Sequence, residues 1–302
     1  MSVATADAAV RLPGEATVER LANGLTVCLL SNRVAPVVTT ALWYRAGTRD
    51  ETAAEAGAAH FLEHMMFKGW AAYGPGDVDR RTQSLGGDNN AFTSHDATCY
   101  HFRFAPDRWH EALAIEADRM AGLTLDRREV ASERRVILEE VAMYDADPWD
   151  SLDQKVHAAR FPGHPYGLPV LGTPKSLRKI DGAVLAAFHR RSYRPGNAVL
   201  VVAGDVGPEA IQAVEEAFGG LGGPQETTPA EAAGLAPAGS LRFETNPPGE
   251  TNGPRGQAPP LPRSSSSQRV LQHKGEVARL MVSLPAPAGD AADSALLRLA
   301  TT

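Results

Sequence analysis

Cysteine is nearly missing from this chain. Its 302 residues hold two, Cys28 and Cys99. They lie far apart and outside any C-x-x-C pattern, which excludes a disulfide framework; both sit in apolar, strand-like runs and are expected as buried reduced thiols. Basic charge is also short. Thirty Lys and Arg face 36 Asp and Glu, a formal net charge of −6, and that excludes a general nucleic-acid surface. No run approaches the roughly 20 apolar residues that cross a bilayer, so no membrane partner is expected. Residues 1–15 lack a basic start followed by an apolar run, so no secretory signal is expected and the chain reads as cytoplasmic. What remains is ordinary for a globular protein: 43% hydrophobic and 22% charged, long enough for one large or two medium domains.

The chain is organised around Gly57-Ala58-Ala59-His60-Phe61-Leu62-Glu63-His64-Met65-Met66-Phe67-Lys68-Gly69. On an α-helix His60, Glu63 and His64 fall within one arc of roughly 100°. Two imidazoles one turn apart can reach a single ion, with a carboxylate beside them, which is the inverted zinc-protease pattern H-x-x-E-H. Phe61, Leu62, Met65, Met66 and Phe67 make most of the remaining surface apolar. Such a helix is buried nearly all round, and a bound metal would partner the polar stripe. Taken alone, the pair is equally two core or surface histidines that happen to lie one turn apart.

Around this helix, expected over 53–68, the pattern alternates strands and helices. Asn23-Gly24 joins strands at 18–21 and 25–30, a hairpin signal. A third strand covers 37–44, and a short helix 77–85 closes at Gly86-Gly87. Strands at 90–94 and 98–104 meet at His95-Asp96. Helices follow at 109–120, 127–143 (capped by Asp126), 151–159, 181–191 and 208–218, with a strand at 198–203. Domain boundaries are expected at 14–222 for the metal-bearing domain and 223–268 for a Pro/Gly/Ser-rich linker. Residues 269–302 then form the truncated start of a second domain, with strands at 269–271 and 278–284 and a helix at 290–300.

A zinc hydrolase needs three protein ligands and one open position. The helix from Asp126 offers Glu129, Glu133, Glu139 and Glu140. Glu133 and Glu140 stand two turns apart on one face, while Glu139 points elsewhere, within reach of Arg135. One of the facing pair could bind metal while the other orients a ligand histidine from behind. A solvated acidic stripe would carry the same spacing, which cannot choose between them.

The sequence resembles the insulinase/pitrilysin family of zinc metallopeptidases, which includes the mitochondrial processing peptidases. In that family H-x-x-E-H is followed, at the distance separating His64 from Glu140, by a glutamate ligand within E-R-x-V-I-x-x-E. Here that segment reads Glu133-Arg134-Arg135-Val136-Ile137-Leu138-Glu139-Glu140. Further matches are Leu21-Ala22-Asn23-Gly24-Leu25, Gly86-Gly87-Asp88-Asn89-Asn90-Ala91-Phe92-Thr93, Pro165-Tyr166-Gly167 and Tyr193-Arg194-Pro195-Gly196-Asn197.

The resemblance implies an α+β, LuxS/MPP-like metallohydrolase fold, its sheet covered by helices on one face. It implies Zn²⁺ held by His60, His64 and Glu140, with Glu63 as general base and Glu133 behind the ligands. Asn90 and Ala91 match the family's substrate-facing edge strand, where an extended peptide adds by backbone hydrogen bonds; a turn residue opening a hairpin is the plainer reading of Asn90. His95 and His101 lie near that strand, with surface or hairpin roles the plainer reading; His110, His157, His164, His189 and His273 are read as structural. The substrate class would be peptides or unfolded protein segments.

Family members close two related halves around the peptide, the second supplying an Arg/Tyr pair that finds no position here. Ala58 and Trp70 stand where the family more often has Leu and Thr. The expectation is a zinc metalloendopeptidase that needs a second domain or partner chain for full activity. A zinc-binding but non-hydrolysing peptide-binding or assembly subunit is the alternative. A small-molecule zinc hydrolase has no support beyond the helix motif.

Overall fold

The chain opens with a hairpin because Asn23-Gly24 supplies a turn, Gly24 sitting at φ +92° where side chains are disfavoured. The computed structural model describes residues 15–70, 72–222, 269–273 and 279–283. The hairpin pairs β1 (Glu15–Arg20) with β2 (Thr26–Ser31), and β3 (Val38–Tyr44) follows. Next come α1 (Ala58–Met65), α2 (Asp77–Ser84), β4 (Asp88–Thr93) and β5 (Thr98–Phe104). Then α3 (His110–Ala121), α4 (Arg127–Ala146), α5 (Pro148–Arg160), the single turn α6 (Pro174–Leu177) and α7 (Gly182–Ser192) precede β6 (Ala198–Gly204) and α8 (Glu209–Phe218). A separate antiparallel pair joins β7 (Arg269–His273) to β8 (Arg279–Ser283).

Six strands form one mixed sheet in the order β1-β2-β6-β3-β5-β4. Only β2 and β6 run parallel; every other pairing is antiparallel. Residues alternate faces along β3: Val38, Thr40, Leu42 and Tyr44 are buried, while Thr39, Ala41 and Trp43 are half-exposed. The buried face carries the helices, with α8 against β2 and α1 against β4 and β5. This is the α+β arrangement expected, with β4 at the sheet's edge.

One feature of the core escapes sequence reading. Glu116 and Arg119, one turn apart on α3, are fully buried and joined by two hydrogen bonds of 2.8 and 2.5 Å. The guanidinium lies 4.2 Å from the centre of the Tyr100 ring. Burial raises the Glu116 carboxyl above its ordinary value and Arg119 opposes that rise.

Several boundaries move. The motif helix begins at Ala58 rather than 53, because Thr52 and Glu55 close a turn of their own and Gly57 adopts φ +94°. Its first N–H groups find a distant cap instead: the Glu51 carboxylate accepts from Gly57 N at 2.9 Å and Ala59 N at 2.7 Å. Burial pushes the Glu51 carboxyl up to about 8 against the pull of those two bonds. Asp126 caps α4 as expected, accepting from Arg128 N and Glu129 N, but α4 continues to Ala146. Asp147 then caps α5 at once, with Pro148 in its first turn. Both cysteines are free, yet only Cys99 is buried; Cys28 is half-exposed on the uncovered sheet face. Burial lifts the Cys99 thiol to about 12. The expected linker 223–268 and helix 290–300 lie outside the described residues. Among the described residues, no helix is long and apolar enough to cross a membrane.

Candidate metal centre

The apolar residues of α1 drive it into the core, where Ala58, Ala59, Phe61, Leu62 and Met65 are fully enclosed. Each large side chain so buried contributes about 1.5–3 kcal/mol. That burial carries His60 down to 7% exposure and leaves His64 half-buried beside it, ring centres 4.7 Å apart. Helix α4 packs across α1 and brings its acidic face to the two rings.

Glu140 Oε2 lies 3.7 Å from His60 Nε2 and 3.6 Å from His64 Nε2. Both gaps exceed a good hydrogen bond. An ion held tetrahedrally at about 2.0–2.1 Å sets its ligand atoms roughly 3.3–3.4 Å apart. The three donor atoms lie within 4.8 Å of one another, and among the described residues no other group of His, Cys, Asp and Glu forms such a cluster. Buried His60 Nδ1 has no partner among the described residues. Burial, then the neighbouring His64, pushes the His60 imidazole down to about 3, so it stays neutral with a lone pair to offer. Two imidazoles and one carboxylate are a donor set that suits zinc and leaves a fourth position open.

The other carboxylate of the α4 face turns to the back of the site. Glu133 is buried, and its Oε2 lies 2.9 Å from His64 Nδ1. Its Oε1 meets Lys68 Nζ at 2.5 Å. Burial alone would raise the Glu133 carboxyl, but the bonds from His64 and Lys68 hold it below its ordinary value. Glu139, by contrast, is exposed.

Glu63, on the same helix, is held by Thr93, whose hydroxyl donates to Glu63 Oε2 at 2.6 Å. Burial raises the Glu63 carboxyl above its ordinary value, with Thr93 opposing. A carboxylate in that condition is a stronger base than one in water.

Asn90 and Ala91 lie on β4, paired with His101 and Tyr100 of β5. Alternation places Ala91 on the same face as Thr93 and Asn90 on the opposite one. The Asn90 side chain folds back to accept from Ala91 N at 2.8 Å. His95 joins the hairpin tip to the loop at Leu168 O, 3.3 Å away, and stacks on His157. Sequence reasoning misses Lys68, Thr93 and Glu51. Lys68 carried a signal, standing one turn beyond His64.

Residues 26–174 match the family model described as insulinase (peptidase family M16), and residues 179–302 match that of the M16 inactive domain. The chain belongs to the insulinase family. It is 34% identical over 197 residues to an uncharacterized zinc protease of Bacillus subtilis, covering 65% of this chain and 48% of that one. A Mycobacterium leprae relative of the same description is 38% identical over 196 residues, covering 64% and 44%. The chain thus spans about half the length of the curated insulinase-family relatives it matches. Among solved structures, a protease from Helicobacter pylori aligns with TM-score 0.68 and 28% identity, over 71% of this chain and 52% of that one.

Proposed function

We propose that this chain carries the metal centre of a zinc-dependent metalloendopeptidase acting on peptides or unfolded protein segments. The observation that supports it most is the meeting of His60 Nε2, His64 Nε2 and Glu140 Oε2 beside Glu63. His60, His64 and Glu140 would hold zinc. When bound there, zinc supplies a Lewis acid that acidifies water and polarises a peptide carbonyl. Glu63, lifted by burial and held by Thr93, takes a proton from the attacking water and delivers it to the leaving amine. Glu133 holds the His64 ring from behind, fixing its orientation. The edge strand β4 offers its backbone to an extended peptide, with Asn90 and Ala91 opposite the substrate; such pairing reads little sequence.

The domain reading belongs to this proposal. Residues 14–222 form the metal-bearing unit, 223–268 a linker, and 269–302 the start of a second, related domain. A further domain or partner chain completes the catalytic chamber. The relatives' greater length supports that view, while the match of 179–302 to the family's inactive domain begins inside the 14–222 unit and does not mark its boundary.

The test is metal analysis beside a peptide-cleavage assay, with and without a candidate partner chain. Glu63→Gln should keep zinc and lose hydrolysis, and His64→Ala should lose the zinc itself. Full zinc in His64→Ala would overturn the ligand set.

A further inference from the structure

We propose that Lys68 is a positioning residue of the metal centre: its ammonium anchors Glu133, and through Glu133 it decides which nitrogen of His64 faces the ion. This rests on the reading that His60, His64 and Glu140 bind zinc.

The contacts run in one line. Lys68 Nζ meets Glu133 Oε1 at 2.5 Å, and Glu133 Oε2 meets His64 Nδ1 at 2.9 Å. His64 Nε2 stands on the far side of the ring, 3.6 Å from Glu140 Oε2. A carboxylate only accepts hydrogen bonds, so the proton of a neutral His64 sits on Nδ1 and the lone pair on Nε2. The ring can use that lone pair for a metal only while Glu133 stays in place. Glu133 is joined to α4 by a flexible stem and without Lys68 would lose one of its two hydrogen-bonding partners, the charged one. Lys68 is itself fixed, as it lies just past the end of α1 with its backbone N–H bonded to Met65 O at 3.0 Å. The whole relay therefore spans one turn of chain and one helix crossing.

The proposal has a sign that separates it from plain electrostatics. A cation near a metal site repels the metal, so by charge alone its removal should tighten zinc binding. A positioning role demands the reverse.

The experiment measures zinc dissociation constants of the full chain by chelator competition, for the wild type, Lys68→Met, Lys68→Arg, Glu133→Gln and the Lys68→Met/Glu133→Gln pair. Lys68→Met should weaken binding about 10-fold, within the 10–100-fold range usual for residues behind the ligands. Lys68→Arg should recover most of the loss. The pair should be no weaker than Glu133→Gln alone, because Lys68 acts only through Glu133. Nitrogen-15 spectra of the metal-free chain should show a neutral His64 protonated on Nδ1 in the wild type and a mixture of the two tautomers in Lys68→Met. Unchanged or tighter zinc binding in Lys68→Met overturns the proposal, as do additive losses in the pair. If the wild type binds no zinc, the metal reading itself falls; if it binds zinc and Lys68→Met matches it, only the role of Lys68 does.

Discussion

The hydroxyl of Thr93 donates to Glu63 Oε2 across 2.6 Å, so the sheet's edge strand holds the carboxylate of the motif helix directly. Thr93 weakens Glu63 as a base but fixes its orientation, and a misplaced carboxylate that adds about 1.4–2.8 kcal/mol to the barrier slows the reaction about 10- to 100-fold. Thr93→Val keeps the shape and removes the donor. It should lower kcat about 10- to 100-fold with zinc content unchanged, whereas Thr93→Ser should retain most activity. Steady-state kinetics with metal analysis check this, and a Thr93→Val variant as fast as the wild type would remove Thr93 from the proposed mechanism.

Glu140 and its neighbour Glu139 differ in direction, not chemistry. Glu140 Oε2 lies 3.6–3.7 Å from both Nε2 atoms, while Glu139 is exposed. Glu140→Gln should therefore weaken zinc binding by more than about 100-fold, beyond what partners behind the ligands contribute. Glu139→Gln should leave the dissociation constant within about twofold, as isolated surface changes do. The opposite ranking would move the third ligand by one residue.

What the sequence reveals follows from how local its causes are. A 3.6-residue period puts His60, Glu63 and His64 on one face and Glu133 with Glu140 on another, so both halves of the site are legible without coordinates. Which acid meets Nε2 and which meets Nδ1 is a matter of how α4 crosses α1, and no local spacing encodes that. Thr93 reaches Glu63 only because β4 is the strand beside α1. The start of α1 is misread for a similar reason. Thr52, Ala53, Ala54 and Glu55 are compatible with a helix, but Glu51 turns back to cap Gly57 and Ala59, and the turns before Ala58 stay separate. Packing at a distance, against the Tyr100 ring of β5, also hides the burial of Arg119, which helix propensity alone places as readily on the surface.

That buried pair yields a third expectation. Arg119→Met leaves Glu116 alone in the core, and Glu116→Leu strands the guanidinium. Breaking one partner of a buried ion pair costs about 3–5 kcal/mol, whereas replacing both by apolar groups can be nearly neutral. Each single change should thus lower the unfolding free energy by that amount, and the double change Glu116→Leu/Arg119→Met by much less. Urea denaturation of the four proteins checks the cycle. Equal losses in the singles and the double would show that the pair stabilises the core by more than mutual neutralisation.

The last expectation concerns how the loop before α6 meets the start of α1. Gly172 has φ +77°, and a Cβ there would stand 2.5 Å from Ala56 O and 2.7 Å from Gly57 Cα. Gly57, at φ +94°, would place its own Cβ 2.7 Å from Leu171 O. Two glycine backbones thus lie against each other, three residues before His60. Gly172→Ala therefore costs twice: about 1–2 kcal/mol for the left-handed conformation, and a further displacement of backbone that packs on the motif helix. Gly86 supplies the control, since at φ +72° its added Cβ would meet nothing within 4 Å. Gly86→Ala should lower the melting temperature by a few degrees, on the scale of about 2–4 °C per kcal/mol for a chain of this size. Gly172→Ala should lower it further and weaken zinc binding as well, because the start of α1 must shift under His60. Calorimetry and chelator competition on both variants decide the matter. If Gly172→Ala binds zinc as tightly as Gly86→Ala does, the contact between the two glycines supports the fold without setting the position of the ligands.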